Sequence, residues 1–127
     1  MPTLSRPTSP PQAARQAAQA RARIAALRAE LARLDDELCT GTLLRRMKVC
    51  GRPECRCARD PAARHGPYYE WGRLEDGRLV HTQVSPEEAQ RIDRAIANYR
   101  TLKRLLARWT RESVRAILAE SYAETES

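Results

Sequence analysis

The chain of 127 residues has the size of one domain, and its six aromatic residues, four tyrosines and two tryptophans without a phenylalanine, are too few for a large globular core. A formal net charge of +7 favours a polyanionic partner. Neither an apolar run of about 18 residues nor the apolar stretch of a secretory signal is present, so we expect a cytoplasmic protein without a membrane partner, whose cysteines stay reduced.

The first 40 residues predict a leader and a long helix. Residues 1–11 contain four prolines and are expected to be disordered. The alternative is that Ser9 with Pro10 and Pro11 marks a helix start, since proline is tolerated in a first turn. Over residues 12–40, apolar side chains recur at spacings of three and four, the pattern of an N-terminal coiled-coil helix with Gly41 at its end. The predicted seam consists of Ala13, Ala17, Ala20, Ile24, Leu27, Leu31, Leu34 and Leu38.

Residues 41–85 are predicted to form a small head, which contains a zinc knuckle followed by a β-hairpin. Residues 67–74 and 77–84 are rich in strand-forming side chains. The dipeptide Asp76-Gly77 between them is a strong tight-turn signal, so the two stretches are expected to pair as antiparallel strands.

A second long helix is predicted over residues 86–119, followed by a frayed tail at 120–127. Ser85 suits the N-cap, Pro86 suits the first turn, and Glu88 completes a capping box. Apolar residues again recur at spacings of three or four. The predicted seam consists of Ile92, Ile96, Tyr99, Leu102, Leu106, Trp109, Ser113 and Ala116 or Ile117.

These elements predict a mainly α fold with a small β part. Two long helices would form a coiled-coil stalk, antiparallel in the simplest arrangement, with the zinc-bound β-hairpin head between them. Each helix alone would be only marginally stable, because a narrow seam buries little apolar surface. A homodimer, or a three- to four-helix bundle made by two chains, would use the same seams and stays an alternative.

Four residues with metal-binding side chains occur in one short stretch, at the spacing Cys50-x4-Cys55-x-Cys57-x7-His65. Structural Zn²⁺ sites prefer a tetrahedron of thiolate sulfur and imidazole nitrogen, and this set supplies both kinds of ligand. The sequence therefore predicts a structural Cys3His zinc site, which would hold together a head with too few large side chains to fold alone.

Alternatives to this site concern the fourth ligand and the chemistry. His81 and Cys39 are the other candidates for the fourth ligand. A catalytic zinc site has three protein ligands, an open position and a nearby carboxylate base. Here four candidates fill the tetrahedron, and no H-x-E or H-E-x-x-H pattern occurs, so we predict no catalytic residue and no enzyme activity. An iron–sulfur cluster is the other metal centre that these cysteines would support.

The positive charge is concentrated around the cysteines, since residues 41–65 hold seven basic and two acidic side chains. Arginines on a rigid knuckle beside flat aromatic side chains are suited to binding phosphates and stacking on bases. Trp71, by contrast, is interpreted as a structural cover of the hairpin. The nucleic-acid-binding residues predicted in the head are Arg45, Arg46, Lys48, Arg52, Arg56 and Tyr68.

A second basic strip follows one face of the predicted second helix and would track a phosphate backbone. It consists of Arg100, Arg104, Arg108 and Arg111, at spacings of four, four and three. The alternative is a solvated face that pairs with acidic residues of the first helix, as flanking positions of coiled coils do. Those acidic residues are Glu30, Asp35, Asp36 and Glu37.

The order Cys50-Gly51-Arg52-Pro53-x-Cys55-x-Cys57, then His65-Gly66-Pro67-Tyr68-Tyr69, then Asn98-Tyr99-Arg100 resembles the core of a family of small bacterial zinc-knuckle proteins of unknown function. The resemblance covers residues 44–110 and leaves out the first helix. Members often accompany mobile elements that encode recombinases or transposases, which implies an accessory role in transposition or recombination. The family has no assigned activity and so implies no catalytic residue.

Together, these features predict a non-enzymatic, zinc-stabilised nucleic-acid-binding protein. The resemblance implies a DNA-binding accessory factor of a mobile element, with DNA favoured over RNA as the partner. The alternative is a protein-interaction adaptor, whose coiled-coil helices recruit a partner such as a recombinase or transposase.

Overall fold

The computed structural model describes residues 4–126, with side chains as far as Tyr122, and combines two helices with a three-stranded antiparallel sheet. The helices are α1 (Pro10–Ala32) and α2 (Pro86–Glu126), and the strands are β1 (Thr42–Lys48), β2 (His65–Glu75) and β3 (Arg78–Val84). Two single-turn 3-10 helices, Arg56–Ala58 and Pro61–Ala63, lie between β1 and β2.

The described residues divide into two compact units. The helical unit contains the chain up to Leu34 and the part of α2 from Arg100 onward, and the sheet unit is Asp35–Tyr99. Within residues 4–126, no helix combines the length and the apolar character needed to cross a membrane.

The start of α1 is set by Ser9 and two prolines. The Ser9 hydroxyl accepts a hydrogen bond from the backbone N–H of Gln12 at 3.3 Å, as an N-cap does. Pro10 and Pro11 occupy the first turn, where the missing N–H groups would have had no helical partner. They therefore belong to the helix, as the alternative interpretation of this segment expects. Residues 1–3 of the predicted leader lie outside the described part of the chain.

In the helical unit, α1 and the second part of α2 run antiparallel. Three ion pairs join the two helices, and their α2 residues come earlier in the chain as their α1 residues come later. These pairs are Arg21–Glu120 at 2.8 Å, Arg23–Glu112 at 3.4 Å and Glu30–Arg108 at 4.0 Å.

The core of the helical unit is built mainly from small side chains. From α1, buried residues recur every seven positions, and from α2 they recur at spacings of seven, four and three. These residues are Ala13, Ala20, Leu27, Leu105, Glu112, Ala116 and Ala119. Leu27, which is 2% exposed, is the largest fully buried side chain among the described residues, so this unit has the narrow seam that the composition predicts.

The first helix ends earlier than predicted, at Ala32 and not near residue 40. Arg33 caps it by donating its backbone N–H to the carbonyl of Glu30 at 3.1 Å. The acidic run at residues 35–37 follows, and negative charge is unfavourable at the C-terminal end of a helix dipole. Leu38, which the heptad pattern placed on the seam, consequently lies outside the helix and is 46% exposed.

The buried face of α2 also differs from the predicted seam. Ile96 and Ala116 of that seam are buried, but Leu106 is 49% exposed. Ile117, the alternative to Ala116, is 59% exposed. Leu105 is buried in place of Leu106. Successive residues are about 100° apart around the helix axis, so at this point α1 covers a face of α2 that is rotated from the predicted seam. The helix continues to Glu126 through most of the segment predicted as a frayed tail, and the coiled-coil geometry stays a prediction.

The sheet unit contains an antiparallel meander in the order β1-β2-β3. β2 and β3 form the predicted hairpin, with Asp76 and Gly77 at positive φ angles of 51° and 78° in the turn. β1 was not predicted. Its sequence, TLLRRMK, contains a basic run without the regular alternation that marks a half-buried strand.

Gly41 is the entry to β1 and not the end of a helix. It has a φ angle of 97°, and a Cβ atom at this position would lie 2.2 Å from the carbonyl oxygen of Gly72 on β2. Only glycine suits this combination of backbone angle and close approach. The same close approach lets the indole N–H of Trp71 donate to the carbonyl of Thr40 at 2.8 Å.

The predicted capping box at the start of α2 is confirmed. The backbone N–H of Ser85 donates to the Glu88 carboxylate at 2.8 Å, and the backbone N–H of Glu88 donates to the Ser85 hydroxyl at 3.1 Å. These hydrogen bonds lower the pKa of Glu88, because they favour the ionised carboxylate.

Candidate metal centre and basic sheet face

The segment between β1 and β2 folds back on itself through short local turns. The backbone N–H of Cys55 donates to the carbonyl of Arg52 at 3.2 Å, and the first 3-10 helix follows at once. The carboxylate of Asp60 then accepts from the backbone N–H of Ala62 at 3.0 Å and caps the second 3-10 helix. This winding returns the chain to His65 at the start of β2, beside the cysteines that precede it.

Four side chains meet at one point of this segment, and their ligand atoms all lie within 4.8 Å of one another. The Sγ atoms of Cys50 and Cys57 are 3.5 Å apart, and the Sγ of Cys55 is 3.3 Å from the Nε2 of His65. A tetrahedral zinc ion with ordinary bond lengths separates its sulfur and nitrogen ligands by about 3.5–3.8 Å. The Cys3His cluster therefore has the dimensions of a metal site and could hold a metal ion.

The electrostatics of the thiols also fit a cation at the centre. The backbone N–H of Cys57, together with the neighbouring thiols, lowers the pKa of the Cys55 thiol. The backbone N–H of Cys50 acts in the same direction on Cys57 at 3.4 Å, but burial and the two adjacent thiols outweigh it and raise the pKa of Cys57. Three thiolates this close repel one another, so a central cation is what would let them all ionise.

The two alternative fourth ligands lie elsewhere in the sheet unit. Cys39 donates its backbone N–H to the carbonyl of Ala95 at 3.1 Å. The Nδ1 of His81 is 4.0 Å from the carboxylate of Glu70, and the ring packs over Gly72. Neither residue belongs to the cluster, in which His65 is the candidate imidazole ligand.

Two residues predicted to bind nucleic acid share one acidic partner that the sequence analysis did not single out. On β2, Glu70 lies 3.4 Å from the Nε of Arg46 and 3.0 Å from the Nζ of Lys48, both on β1. Lys48 above all, with Arg46 and His81, lowers the pKa of Glu70, although partial burial acts in the opposite direction. Because β1 was not predicted, nothing in the sequence indicated that Glu70 would lie beside Arg46 and Lys48.

Tyr68 lies beside the same cations. It is the direct cross-strand neighbour of Arg46, and the Nζ of Lys48 is 5.4 Å from the centre of its ring. Cross-strand partners point to the same face of a sheet, and residues two apart on a strand do as well. Arg46, Tyr68 and Glu70 consequently share one face.

Arg45 points to the opposite face of the sheet. Its cross-strand neighbour is Tyr69, two residues before Trp71. On that face, the guanidinium of Arg73 lies 4.1 Å from the centre of the Trp71 ring and donates to the Thr82 hydroxyl at 2.6 Å. These contacts agree with the interpretation of Trp71 as a structural residue.

The arginines of the knuckle are exposed and mostly without acidic partners. Arg56 lies 3.5 Å from Asp60 with its side chain 85% exposed. Among the side chains described, those of residues 4–122, no carboxylate lies within ion-pair distance of Arg52, Arg59 or Arg64. The neighbourhood of the metal cluster therefore keeps its positive charge.

The arginine strip of α2 belongs to the helical unit. Arg108 pairs with Glu30, as the alternative interpretation of this strip expects, and Arg104 donates to the Thr101 hydroxyl at 3.1 Å. Arg100 and Arg104 are exposed, whereas Arg111 is half-buried. The strip is thus partly neutralised by the first helix.

The other acidic residues proposed for that pairing line a polar cleft of about 520 Å³ in the sheet unit. Its lining includes Asp35 and Asp36 together with the ion pair between Glu37 and Arg91. Asn98 donates its side-chain amide to the carbonyl of Glu37 at 3.1 Å. These contacts tie the segment after α1 to the first part of α2.

A family model described as a domain of unknown function, DUF6788, matches residues 17–94, which is more than half of the chain. The match includes the Cys3His cluster and all three strands, and it ends before the arginine strip of α2. It also includes most of α1, which the resemblance noted in the sequence left out. Among curated proteins and among solved structures, none matches.

Proposed function

This chain belongs to the family described as a domain of unknown function, DUF6788, and we propose that it is a non-enzymatic, zinc-stabilised nucleic-acid-binding protein. One observation carries the proposal. The Cys3His cluster and seven basic residues fall in the same stretch, residues 45–65, against two acidic residues. A metal that organises this stretch would present its cations in a fixed arrangement.

Zinc is the proposed metal because of the donor set. Three cysteine sulfurs and one imidazole nitrogen are a donor set that structural zinc sites use. Three thiolates with one Zn²⁺ carry a single negative charge, so the stretch keeps a clear positive excess. When bound, the ion would supply a structural crosslink, and Cys50, Cys55, Cys57 and His65 would hold it.

The cations of the head would make the first contacts with phosphates. Arg45, Arg46, Lys48, Arg52 and Arg56 are all exposed, and Tyr68 is half-buried beside Lys48 with a ring suited to stacking on a base. Arg100, Arg104, Arg108 and Arg111 would form a second, weaker strip. DNA is the favoured partner.

A salt series tests this function directly. Fluorescence anisotropy would follow binding of a labelled DNA duplex, and of RNA with the same sequence, between about 50 and 300 mM salt. Because the proposed contacts are ionic, the binding constant should fall steeply with salt, with a logarithmic slope of about −0.9 for each phosphate contacted on duplex DNA. Absence of binding to both probes at the lowest salt would overturn the proposal.

Charge reversal supplies the matched control. The triple variant R45E/R46E/K48E should lose binding. The control variant R15E/R28E/R33E changes the net charge by the same amount, at exposed positions of α1 and its cap that lie outside the head. It should retain most of the nucleic-acid binding.

A protein-interaction adaptor is the second candidate, and one observation favours it. Leu106 and Ile117 on α2 are about half-exposed, and a partner such as a recombinase could cover this apolar stripe. An adaptor that binds by apolar contacts should tolerate R45E/R46E/K48E and lose its partner when Leu106 and Ile117 are changed to Asp. The accessory role in a mobile element is part of the proposal on the strength of the sequence resemblance, and a recombinase or transposase gene beside this one would support it.

A further inference from the structure

Three basic side chains from the two outer strands converge on one carboxylate of the central strand. Glu70 on β2 is approached by Arg46 and Lys48 from β1 at 3.4 and 3.0 Å, and by the Nδ1 of His81 from β3 at 4.0 Å. The register explains the convergence. The Arg46–Tyr68 pair and the Gly72–His81 pair lie two residues from Glu70 along β2, in opposite directions, and residues two apart on a strand share a face. The Glu70 face is defined as Arg46, Lys48, Tyr68, Glu70 and His81.

The exposure of these groups is uneven. The side chain of Glu70 is 16% exposed, whereas those of Arg46, Lys48 and His81 are 40–51% exposed. The carboxylate thus lies beneath its cations, and each cation keeps part of its surface in solvent. An arginine carries five N–H donors and a lysine three, so one carboxylate leaves donors on both side chains unused.

The charge on this face is unbalanced. Arg46 and Lys48 carry two positive charges against one negative charge on Glu70. The Arg73–Glu75 pair on the same strand differs, because there one cation meets one anion at 3.0 Å. Glu70 therefore holds the cations close together, but its single negative charge does not neutralise them. An approaching anion would be attracted by the remaining positive charge.

We propose that the Glu70 face is a binding site for a phosphodiester backbone, in which Glu70 acts as a built-in competitor that gathers the cations and weakens their hold on the ligand. A phosphate would take the outward donors of Arg46 and Lys48. Tyr68, adjacent to both cations, would stack on a base of a single strand, the combination used by proteins that bind single-stranded nucleic acid. This inference rests on the nucleic-acid-binding function proposed above and assigns it to one face of the sheet.

The test is a gain of affinity on removing an acidic side chain. Glu70→Gln keeps the shape of the residue and removes its charge, and Glu75→Gln makes the same charge change on the same strand, at the Arg73 pair. The probe is a labelled single-stranded DNA of about 20 nucleotides, at ~100 mM salt. We expect Glu70→Gln, but not Glu75→Gln, to gain the equivalent of one phosphate contact. That gain corresponds to about five-fold tighter binding and to a logarithmic salt slope that is steeper by about 0.7.

A second pair of variants provides a loss-of-function reading. Arg46→Gln should weaken binding of the probe. Arg78→Gln makes the same charge change at an exposed position of β3 and should alter binding much less. Metal content and circular dichroism would verify that all four variants keep their fold. Equal effects of the two variants within either pair would overturn the assignment while leaving nucleic-acid binding intact. If neither the unmodified chain nor any variant binds the probe or the duplex, the proposed function itself fails.

Discussion

The Sγ of Cys55 lies 3.3 Å from the Nε2 of His65, and ten positions separate the two residues in the chain. Two consecutive 3-10 turns and the start of β2 bring them together, beside the Sγ atoms of Cys50 and Cys57. Such a loop has few large side chains to bury, so a bound metal would be its main source of stability.

Removing two cluster cysteines should therefore abolish metal binding. The double variant C55S/C57S is expected to lose its metal and the ordered loop, because structural zinc contributes on the order of 10 kcal/mol in small modules. Elemental analysis of purified protein and amide exchange of residues 49–65 would measure the loss. The control is Cys39→Ser, which changes a cysteine outside the cluster and should leave the metal content unchanged. Retention of stoichiometric metal by C55S/C57S would contradict the assignment.

Gly41→Ala should destabilise the sheet strongly. The new methyl group would lie 2.2 Å from the carbonyl oxygen of Gly72, at a φ angle of 97° that side chains rarely adopt, so we expect a loss of at least ~2 kcal/mol. Gly77→Ala is the matched control, since its φ angle of 78° is also positive but no atom lies within 4 Å of the added carbon. It should cost only ~1 kcal/mol. Urea unfolding measures both, and similar costs would contradict the role of close packing at Gly41.

Glu112 offers a test of the helical unit. It is nearly buried and lies 3.4 Å from Arg23 and 2.9 Å from Arg115. Glu112→Ala should destabilise the protein by about 1–3 kcal/mol, because it removes the nearly buried carboxylate that the half-buried Arg115 and the exposed Arg23 share. Glu112→Met fills the volume with apolar atoms and should be close to neutral. If thermal unfolding shows the methionine variant to be as unstable as the alanine variant, the ion pairs do not explain the cost.

The ion pair between Glu37 and Arg91 should make stability depend on pH. Hydrogen bonding to Arg91 lowers the pKa of Glu37 from its ordinary value of 4.5. A carboxyl group whose folded pKa is lowered contributes stability that is present above 4.5 and is lost as the pH falls through the folded value. Glu37→Gln should therefore lower the melting temperature at pH 7. In acid, the melting temperatures of the variant and the unmodified chain should become equal. A difference between the two curves that persists unchanged at about pH 3 would refute this linkage.

The features that the sequence analysis predicted well are decided within a few residues. The turn at Asp76-Gly77 depends on two residues that accept positive φ, and the capping box of α2 depends on Ser85 and Glu88, three positions apart. The four residues of the metal cluster lie within 16 positions, so their spacing alone limits the arrangements they can adopt.

The features that were missed depend on segments far apart in the chain. β1 is a strand because β2 pairs with it, and its own basic sequence lacks a strand pattern. The heptad pattern carried the first helix to residue 40, but Glu37 and Cys39 instead contact α2 at Arg91 and Ala95. The periodicity of α2 likewise left open which of two adjacent apolar faces α1 would cover.

The sequence by itself determined the four members of the Cys3His cluster, the hairpin turn, the helix start at Ser85 and the excess of positive charge near the cysteines, because each depends on neighbouring residues. Only the tertiary structure decided that Arg46 and Lys48 share Glu70, that Arg45 points to the other face and that Leu105 is buried where Leu106 is not. The physical reason is that strand register and helix rotation are set by contacts between distant segments, and a shift of one residue in either would change every one of these neighbours.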